Sequence, residues 1–301
     1  LQIGGTVVGR IVGPLGLVKL TDLMQRSSGR PEIRVGLIDG PILISHPDLA
    51  AENIQEIPGA ISGTCARADT AACRHGTFVA GMLCARRGSV APAICPACTL
   101  LVRPIFPEGA GSHDAPSATS DQLAGAVIDS VDAGARVVNL SAALAWPSLG
   151  GEARLEEALN YAARREVVVV AAAGNQGAVG STAITRHPAV ISVAGCDLRG
   201  RPLAESNLGG SIGQRGLSAP AESITSLGVK DRPDTRSGTS VAAPFVTGTI
   251  ALLWSEFPAA SAAVIRLAVT QNSVPRRRTI APPILDASAA YAALNAIRVG
   301  R

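Results

Sequence analysis

Apolar residues run unbroken through several short stretches of this chain, and each run stops at a polar or glycine-containing turn. Val35-Gly36-Leu37-Ile38 ends in Asp39-Gly40-Pro41, and Val167-Val168-Val169-Val170-Ala171-Ala172-Ala173 ends in Gly174-Asn175. Continuous apolar runs, as opposed to alternating apolar and polar positions, mark strands buried on both faces of a parallel sheet. On this pattern strands are expected at 33–38, 100–105, 136–140, 167–172, 190–194 and 223–226. Helical spacing predicts helices at 75–85, 120–133, 152–165, 240–256, 259–270 and 286–297. The helices at 75–85 and 240–256 are apolar nearly all round, which places them centrally. Strand and helix alternate through the middle of the chain. This predicts an α/β fold, a mainly parallel central sheet with helices on both faces. Leu15, Leu17, Leu20, Leu23 and Met24 are the apolar positions of a helix in an N-terminal extension, residues 1–30, packing on a core formed by residues 31–301.

The polar residues that end these runs carry the candidate chemistry. Ser240 follows Gly238-Thr239 and opens the apolar segment reaching Trp254. A hydroxyl at a helix N-terminus meets unpaired N–H groups and the favourable end of the dipole, which suits a nucleophile whose attack creates an oxyanion. An ordinary N-cap serine is the competing reading. Asp39 falls at the carboxyl end of a strand, where open α/β sheets place ligands, or it caps the Gly40-Pro41 turn. His75 opens the segment His75-Gly76-Thr77-Phe78-Val79-Ala80-Gly81-Met82-Leu83. Gly76 and Gly81 cost that helix stability, so they are expected to permit close backbone packing. Asn175 is either a turn residue or an amide donor to a tetrahedral intermediate.

The order Asp39, His75, Asn175, Ser240 resembles that of the subtilisin-like serine proteases. The resemblance covers most of the chain. It is carried by Ile38-Asp39 with His46-Pro47-Asp48-Leu49, His75-Gly76-Thr77, Val90-Ala91-Pro92, Val138-Asn139-Leu140-Ser141, Ala172-Ala173-Gly174-Asn175, Ser218-Ala219-Pro220 and Gly238-Thr239-Ser240. It implies a three-layer subtilisin-like fold. It also implies an endopeptidase in which His75 takes the proton of Ser240, Asp39 orients the imidazole, and Asn175 with the Ser240 N–H forms an oxyanion hole. In the family an extended peptide pairs with backbone following the Asn139-Leu140-Ser141 strand. Ser141, Ala142 and Ala143 are therefore the substrate-binding candidates. The usual Ser-Leu-Gly-Gly is Ser-Ala-Ala-Leu here, which leaves specificity open.

Other departures narrow the branch. Asp39-Gly40-Pro41 stands for Asp-Thr-Gly or Asp-Ser-Gly, and His75-Gly76-Thr77-Phe78 for His-Gly-Thr-His. With the segment from Cys98 to Phe106, the first of these resembles the subtilases that mature ribosomally made peptides of the cyanobactin type. A precursor peptide is then the implied partner, with a lost pro-segment as another. A peptide ligase or macrocyclase using the same acyl-enzyme, or a non-catalytic peptide-binding module, are the alternatives. A macrocyclising member is expected to carry an inserted helical cap, for which the sequence leaves no room, so hydrolysis is favoured. Arg86-Arg87-Gly88-Ser89-Val90 lacks the acidic or amide-rich loop of a high-affinity calcium site, and no cofactor is expected.

Composition adds bounds. A hydrophobic content of 47% with 3% aromatic residues implies a core of Ala, Val, Leu and Ile. The net charge of +4 is mild, and Arg276-Arg277-Arg278 reads as a solvated loop without interleaved aromatics, so no nucleic-acid partner is inferred. No apolar run reaches the ~18 residues of a membrane span. The chain begins with Leu, which fits a processed form. Of six cysteines, Cys65 and Cys73 are placed to close a disulfide before His75. Cys95-Pro96-Ala97-Cys98 is read as a surface pair, either redox-active, a zinc half-site or a disulfide. Cys84 and Cys196 are expected as buried thiols. Two disulfides would favour an oxidising compartment, whereas peptide maturation allows a cytoplasm; secretion is ranked ahead. Gly209-Gly210-Ser211-Ile212-Gly213 matches the hydrolase G-x-S-x-G pattern but lacks its strand, and is read as a loop. Asn139-Leu140-Ser141 matches a glycosylation sequon at a buried strand end.

Overall fold

The computed structural model describes residues 13–109, 118–141, 152–229, 232–270 and 279–299. Residues 1–12 of the extension, Ala142 and Ala143, and the arginine run at 276–278 lie outside these segments. The described residues begin with two short helices, α1 (Pro14–Leu17) and α2 (Thr21–Arg26), where the sequence predicts one; Lys19 turns between them with φ +50°. The order then runs β1 (Arg34–Asp39), β2 (Ile54–Glu56), α3 (Ala71–Cys84), β3 (Thr99–Pro104), α4 (Ser120–Asp132), β4 (Val137–Leu140), α5 (Ala153–Arg164) and β5 (Val168–Ala172). It continues through α6 (Ala183–Arg186), β6 (Val190–Cys196), α7 (Gly210–Arg215), β7 (Leu217–Pro220), β8 (Ile224–Ser226), β9 (Asp234–Arg236), α8 (Thr239–Glu256), α9 (Ala262–Thr270) and α10 (Ala287–Val299).

Seven strands form one parallel sheet in the order β2-β3-β1-β4-β5-β6-β7. The apolar runs are continuous because both faces are covered. Val168 and Val170 of β5 pack into the cluster containing α3 and α8, while Val169 and Ala171 pack into the cluster of α4 and α5. Strand order reverses at β1, which pairs with β3 on one side and β4 on the other. The carboxyl end of β1 is therefore the switch point of the sheet, the place where such folds open a crevice. Asp39 is the last residue of that strand.

Four further readings of the sequence need correction. The 223–226 strand is not part of the parallel sheet; β8 pairs antiparallel with β9. The glycine-rich run at 209–213 is a short helix, α7, not a loop. α3 starts at Ala71, capped by the Thr70 hydroxyl accepting from Cys73 N–H, so His75 lies in its second turn and does not open it. Cys95 and Cys98 are fully buried, not superficial. The apolar positions before Cys98 pack inward, and Arg87 ties this segment to α2 through the carbonyls of Ala93, Ile94 and Met24.

α8 is apolar nearly all round because it runs through the centre, against β4, β5, β6, β7 and α3. Among the described residues no helix is long and apolar enough to cross a membrane.

Candidate active site

The backbone brings Asp39 and His75 together through two glycines. A Cβ at Gly76 would press on the carbonyl oxygens of Pro41 and Gly40, and one at Gly40 would press on the carbonyl of Ala72. Helix α3 thus lies backbone-to-backbone on the turn after β1, an approach any larger side chain would hold open. That contact sets the His75 ring Nδ1 at 2.7 Å from Asp39 Oδ1, which also accepts the Gly40 N–H at 2.6 Å. Asp39 is fully buried. A carboxylate can only accept, so Nδ1 carries the proton and Nε2 is left as the acceptor. Ser240 Oγ lies 3.0 Å from that Nε2. A hydroxyl held so can lose its proton to the ring as it attacks an electrophile.

Ser240 is the second residue of α8. The N-cap is Gly238, with φ +122° and no side-chain cap bond, so capping does not account for the serine. The Ser240 N–H belongs to the first helical turn, whose donors have no carbonyl four residues back within the helix. Pro244 lies inside the same helix and lacks an N–H, which frees the Ser240 carbonyl four residues earlier. The Ser141 hydroxyl donates to that carbonyl at 3.5 Å and accepts from Asn139 Nδ2 at 2.6 Å. Thr247 of α8 donates to Asn139 Oδ1 at 2.8 Å, so the amide is satisfied and buried, and the sequon is closed to modification. Ser141 thus lies under Ser240 with its side chain turned inward.

Asn175 follows Gly174 at the end of β5 and is exposed. Its Oδ1 accepts from the Thr239 N–H at 2.8 Å and from the Thr239 hydroxyl at 2.9 Å. Both bonds face the oxygen toward α8, which leaves Nδ2 free among the described residues to serve an incoming acceptor. The sequence reading missed Thr239 as the group that orients this amide. It also missed Asn207, which binds the turn around Asn175. Thr239 shows only a polar side chain after a glycine, and Asn207 only a polar residue in a Ser-Asn-Leu-Gly stretch, both common in loops.

Cys65 and Cys73 form a disulfide whose loop leads into α3. Glu108 holds the loop, accepting from Ala66 N–H at 2.8 Å, Arg67 N–H at 2.9 Å and the Thr70 hydroxyl at 3.3 Å. Among the described residues the one cluster of three possible metal-ligating groups is Cys65, Cys73 and Glu108. Its two sulfurs are bonded to each other, so they do not provide a second pair for Cys95 and Cys98. The free thiols Cys84, Cys95, Cys98 and Cys196 are all buried. Hydrogen bonding to Cys84, with burial, raises the Cys95 thiol well above its ordinary range; the bond to Cys95, with burial, does the same for Cys98. Burial pushes Cys196 up to about 12. Cys95, Cys98 and Cys196 are thus protonated, unreactive thiols at neutral pH.

Residues 30–293 match the model of the subtilase family. Subtilisin DY of Bacillus licheniformis is 30% identical over 258 residues, covering 83% of this chain and 86% of that protein. A thermophilic serine proteinase of Bacillus sp. (strain AK1) is 32% identical over 241 residues, covering 78% of this chain and 54% of that longer protein. Among solved structures, the protease domain of PatA, a patellamide maturation protease, superposes with TM-score 0.81 at 32% identity, covering 89% of this chain and 97% of that one. The prenylagaramide maturation protease PagA superposes with TM-score 0.78 at 25% identity, covering 91% and 98%.

Proposed function

This chain belongs to the subtilase family and is a subtilisin-like serine endopeptidase; from there we propose that Ser240, His75 and Asp39 are its nucleophile, base and orienting carboxylate, and that its substrate is a ribosomally made precursor peptide. The observation that carries the site assignment is the unbroken relay from Asp39 Oδ1 to His75 Nδ1, 2.7 Å, and from His75 Nε2 to Ser240 Oγ, 3.0 Å. Ser240 Oγ attacks the scissile carbonyl while His75 Nε2 takes its proton. Asp39 stabilises the imidazolium so formed. The Ser240 N–H and Asn175 Nδ2 receive the oxyanion. The imidazolium then returns the proton to the departing amine, leaving an acyl-enzyme that water hydrolyses with His75 again as base. Ser141 and, outside the described residues, Ala142 and Ala143 are the proposed substrate contacts.

Similarity to the solved protease domain of PatA and to the solved chain of PagA, along nearly the whole of each, supports the precursor-peptide reading. The start of the family match at residue 30 supports the division into an extension, 1–30, and a peptidase body, 31–301. A fluorophosphonate probe tests the site: it should label Ser240 in the folded protein and leave Ser240→Ala unlabelled. An unlabelled Ser240 in folded protein overturns the assignment. Incubating a cyanobactin-type precursor with the enzyme and an added amine tests the substrate and the outcome together. Free-acid fragments from one discrete site support maturation by hydrolysis; amide products make the chain a ligase; an uncut precursor beside a cut unrelated peptide removes the maturation reading.

A further inference from the structure

Asn207 lies in the loop between β6 and α7, 5% exposed, with every polar atom of its side chain engaged on a single target. Its Oδ1 accepts the N–H of Gln176 at 3.0 Å and the N–H of Ala178 at 3.0 Å. Its Nδ2 donates to the Ala173 carbonyl at 3.2 Å and to Gln176 Oε1 at 2.6 Å. Its own N–H donates to the Gly174 carbonyl at 2.9 Å. A primary amide has two donor hydrogens and two acceptor lone pairs, and here all four are used. With the backbone bond they bracket Asn175: Ala173 and Gly174 before it, Gln176 and Ala178 after it. Asn175 itself is untouched.

The turn is cut to fit this side chain. Gly174 has φ +106°, and a Cβ there would strike Asn207 Nδ2, so the glycine and the asparagine require each other. No other residue reproduces the set. Aspartate keeps the two acceptors but sets an oxygen against the Ala173 carbonyl, serine is too short to span both sides of the turn, and glutamine is one methylene too long. Thr239 fixes the oxygen of the Asn175 amide; the backbone from which that side chain projects is fixed from behind by Asn207. Asn175 is exposed, so these contacts at the turn and at Thr239 are what hold it.

We propose that Asn207 is a positioning residue for the oxyanion hole, acting on the reaction solely through the direction it gives Asn175. The proposal rests on the reading of Asn175 as an oxyanion donor, and the two fail separately. The test is a double-mutant cycle on kcat and KM for one peptide substrate, with Asn175→Ala, Asn207→Ala and the double variant. A peptide aldehyde, which forms a tetrahedral adduct on the serine, reports the hole itself. Asn175→Ala is expected to lower kcat by about 10²–10³, the magnitude known from a subtilisin, with KM little changed. Asn207→Ala should lower kcat and aldehyde affinity together by roughly tenfold or more, again with KM little changed, as misalignment of a transition-state donor does. The double variant should be no slower than Asn175→Ala alone, because an amide that is gone cannot be misaligned. Effects that multiply in the double variant, or an Asn207→Ala enzyme with unchanged kcat, overturn the proposal. If Asn175→Ala is silent, the oxyanion reading itself has failed. If Asn207→Ala does not fold, the near-isosteric Asn207→Asp takes its place in the same cycle. It keeps both acceptors and loses the two donors, and the same outcomes decide.

Discussion

Gly76 shows how much of the proposed chemistry depends on one missing methyl group. Adding it in Gly76→Ala pushes α3 against the Gly40 and Pro41 carbonyls, and overpacking of this kind costs about 1–3 kcal/mol. The displacement falls on the preceding residue, His75, so activity should fall further than stability. A kcat reduced by tenfold or more in protein still folded at the assay temperature is the expected result, read by thermal melts beside kinetics. At the same scale, Ser240→Ala should abolish turnover while leaving the melting temperature nearly unchanged, since the hydroxyl does not cap α8. Asp39, His75, Asn175 and Ser240 stand out in the sequence because each is a polar residue where an apolar run begins or ends, and their order resembles that of the subtilisin-like proteases. Thr239 and Asn207 were not, because what distinguishes them is the direction of their hydrogen bonds.

At the scale of elements, the beginning of α3 is secured three times: by the Thr70 cap, by the Cys65–Cys73 bond and by the Glu108 carboxylate. Cross-linking across a sequence separation of 8 is worth about 2–3 kcal/mol by loop entropy. Reduction, or the double change of Cys65 and Cys73 to serine, should therefore lower the melting temperature by several degrees and loosen the helix that carries His75. Calorimetry with and without reductant, with kcat measured in parallel, reads both. After α6, His187 accepts the Ala189 N–H on Nδ1 and faces Asn160 Oδ1 with Nε2, an arrangement for the neutral ring. Burial lowers its pKa, with Arg215 and Arg266 acting in the same direction and Glu156 against it. The unfolded chain thus takes the proton first as pH falls. Its contribution is complete above about pH 6.5, the ordinary histidine value, and is lost as the pH drops below it. Urea denaturation from pH 7 to pH 5 should show a shallower decline for His187→Gln than for the native protein.

Across the whole molecule, the candidate site exists only once distant segments meet. His75 is 36 residues from Asp39 and 165 from Ser240. Fluorophosphonate labelling of Ser240 along a urea series should therefore vanish at the same midpoint as the far-ultraviolet signal of the sheet and helices. Labelling lost well before that midpoint would show that the site loosens ahead of the fold. The parallel sheet was readable because burial on both faces leaves continuous apolar runs. β2 and β9 escaped notice because three-residue strands carry too few positions to show a period, and β8 was found but not its antiparallel partner. α7 reads as a loop in the sequence because two glycines and a serine weaken every local helix signal, yet the segment is helical.

By itself the sequence determined the layered α/β architecture, the central place of α8 and the polar groups that end β1, β5 and the turn before α8. These follow from local periodicity and from where apolar runs stop. Only the tertiary structure decided which of those polar groups touch. Hydrogen bonds of about 3 Å between segments far apart in the chain depend on how closely the backbones can approach. That closeness rests on glycines without a Cβ and on buried amides such as Asn207, whose role a linear pattern does not encode.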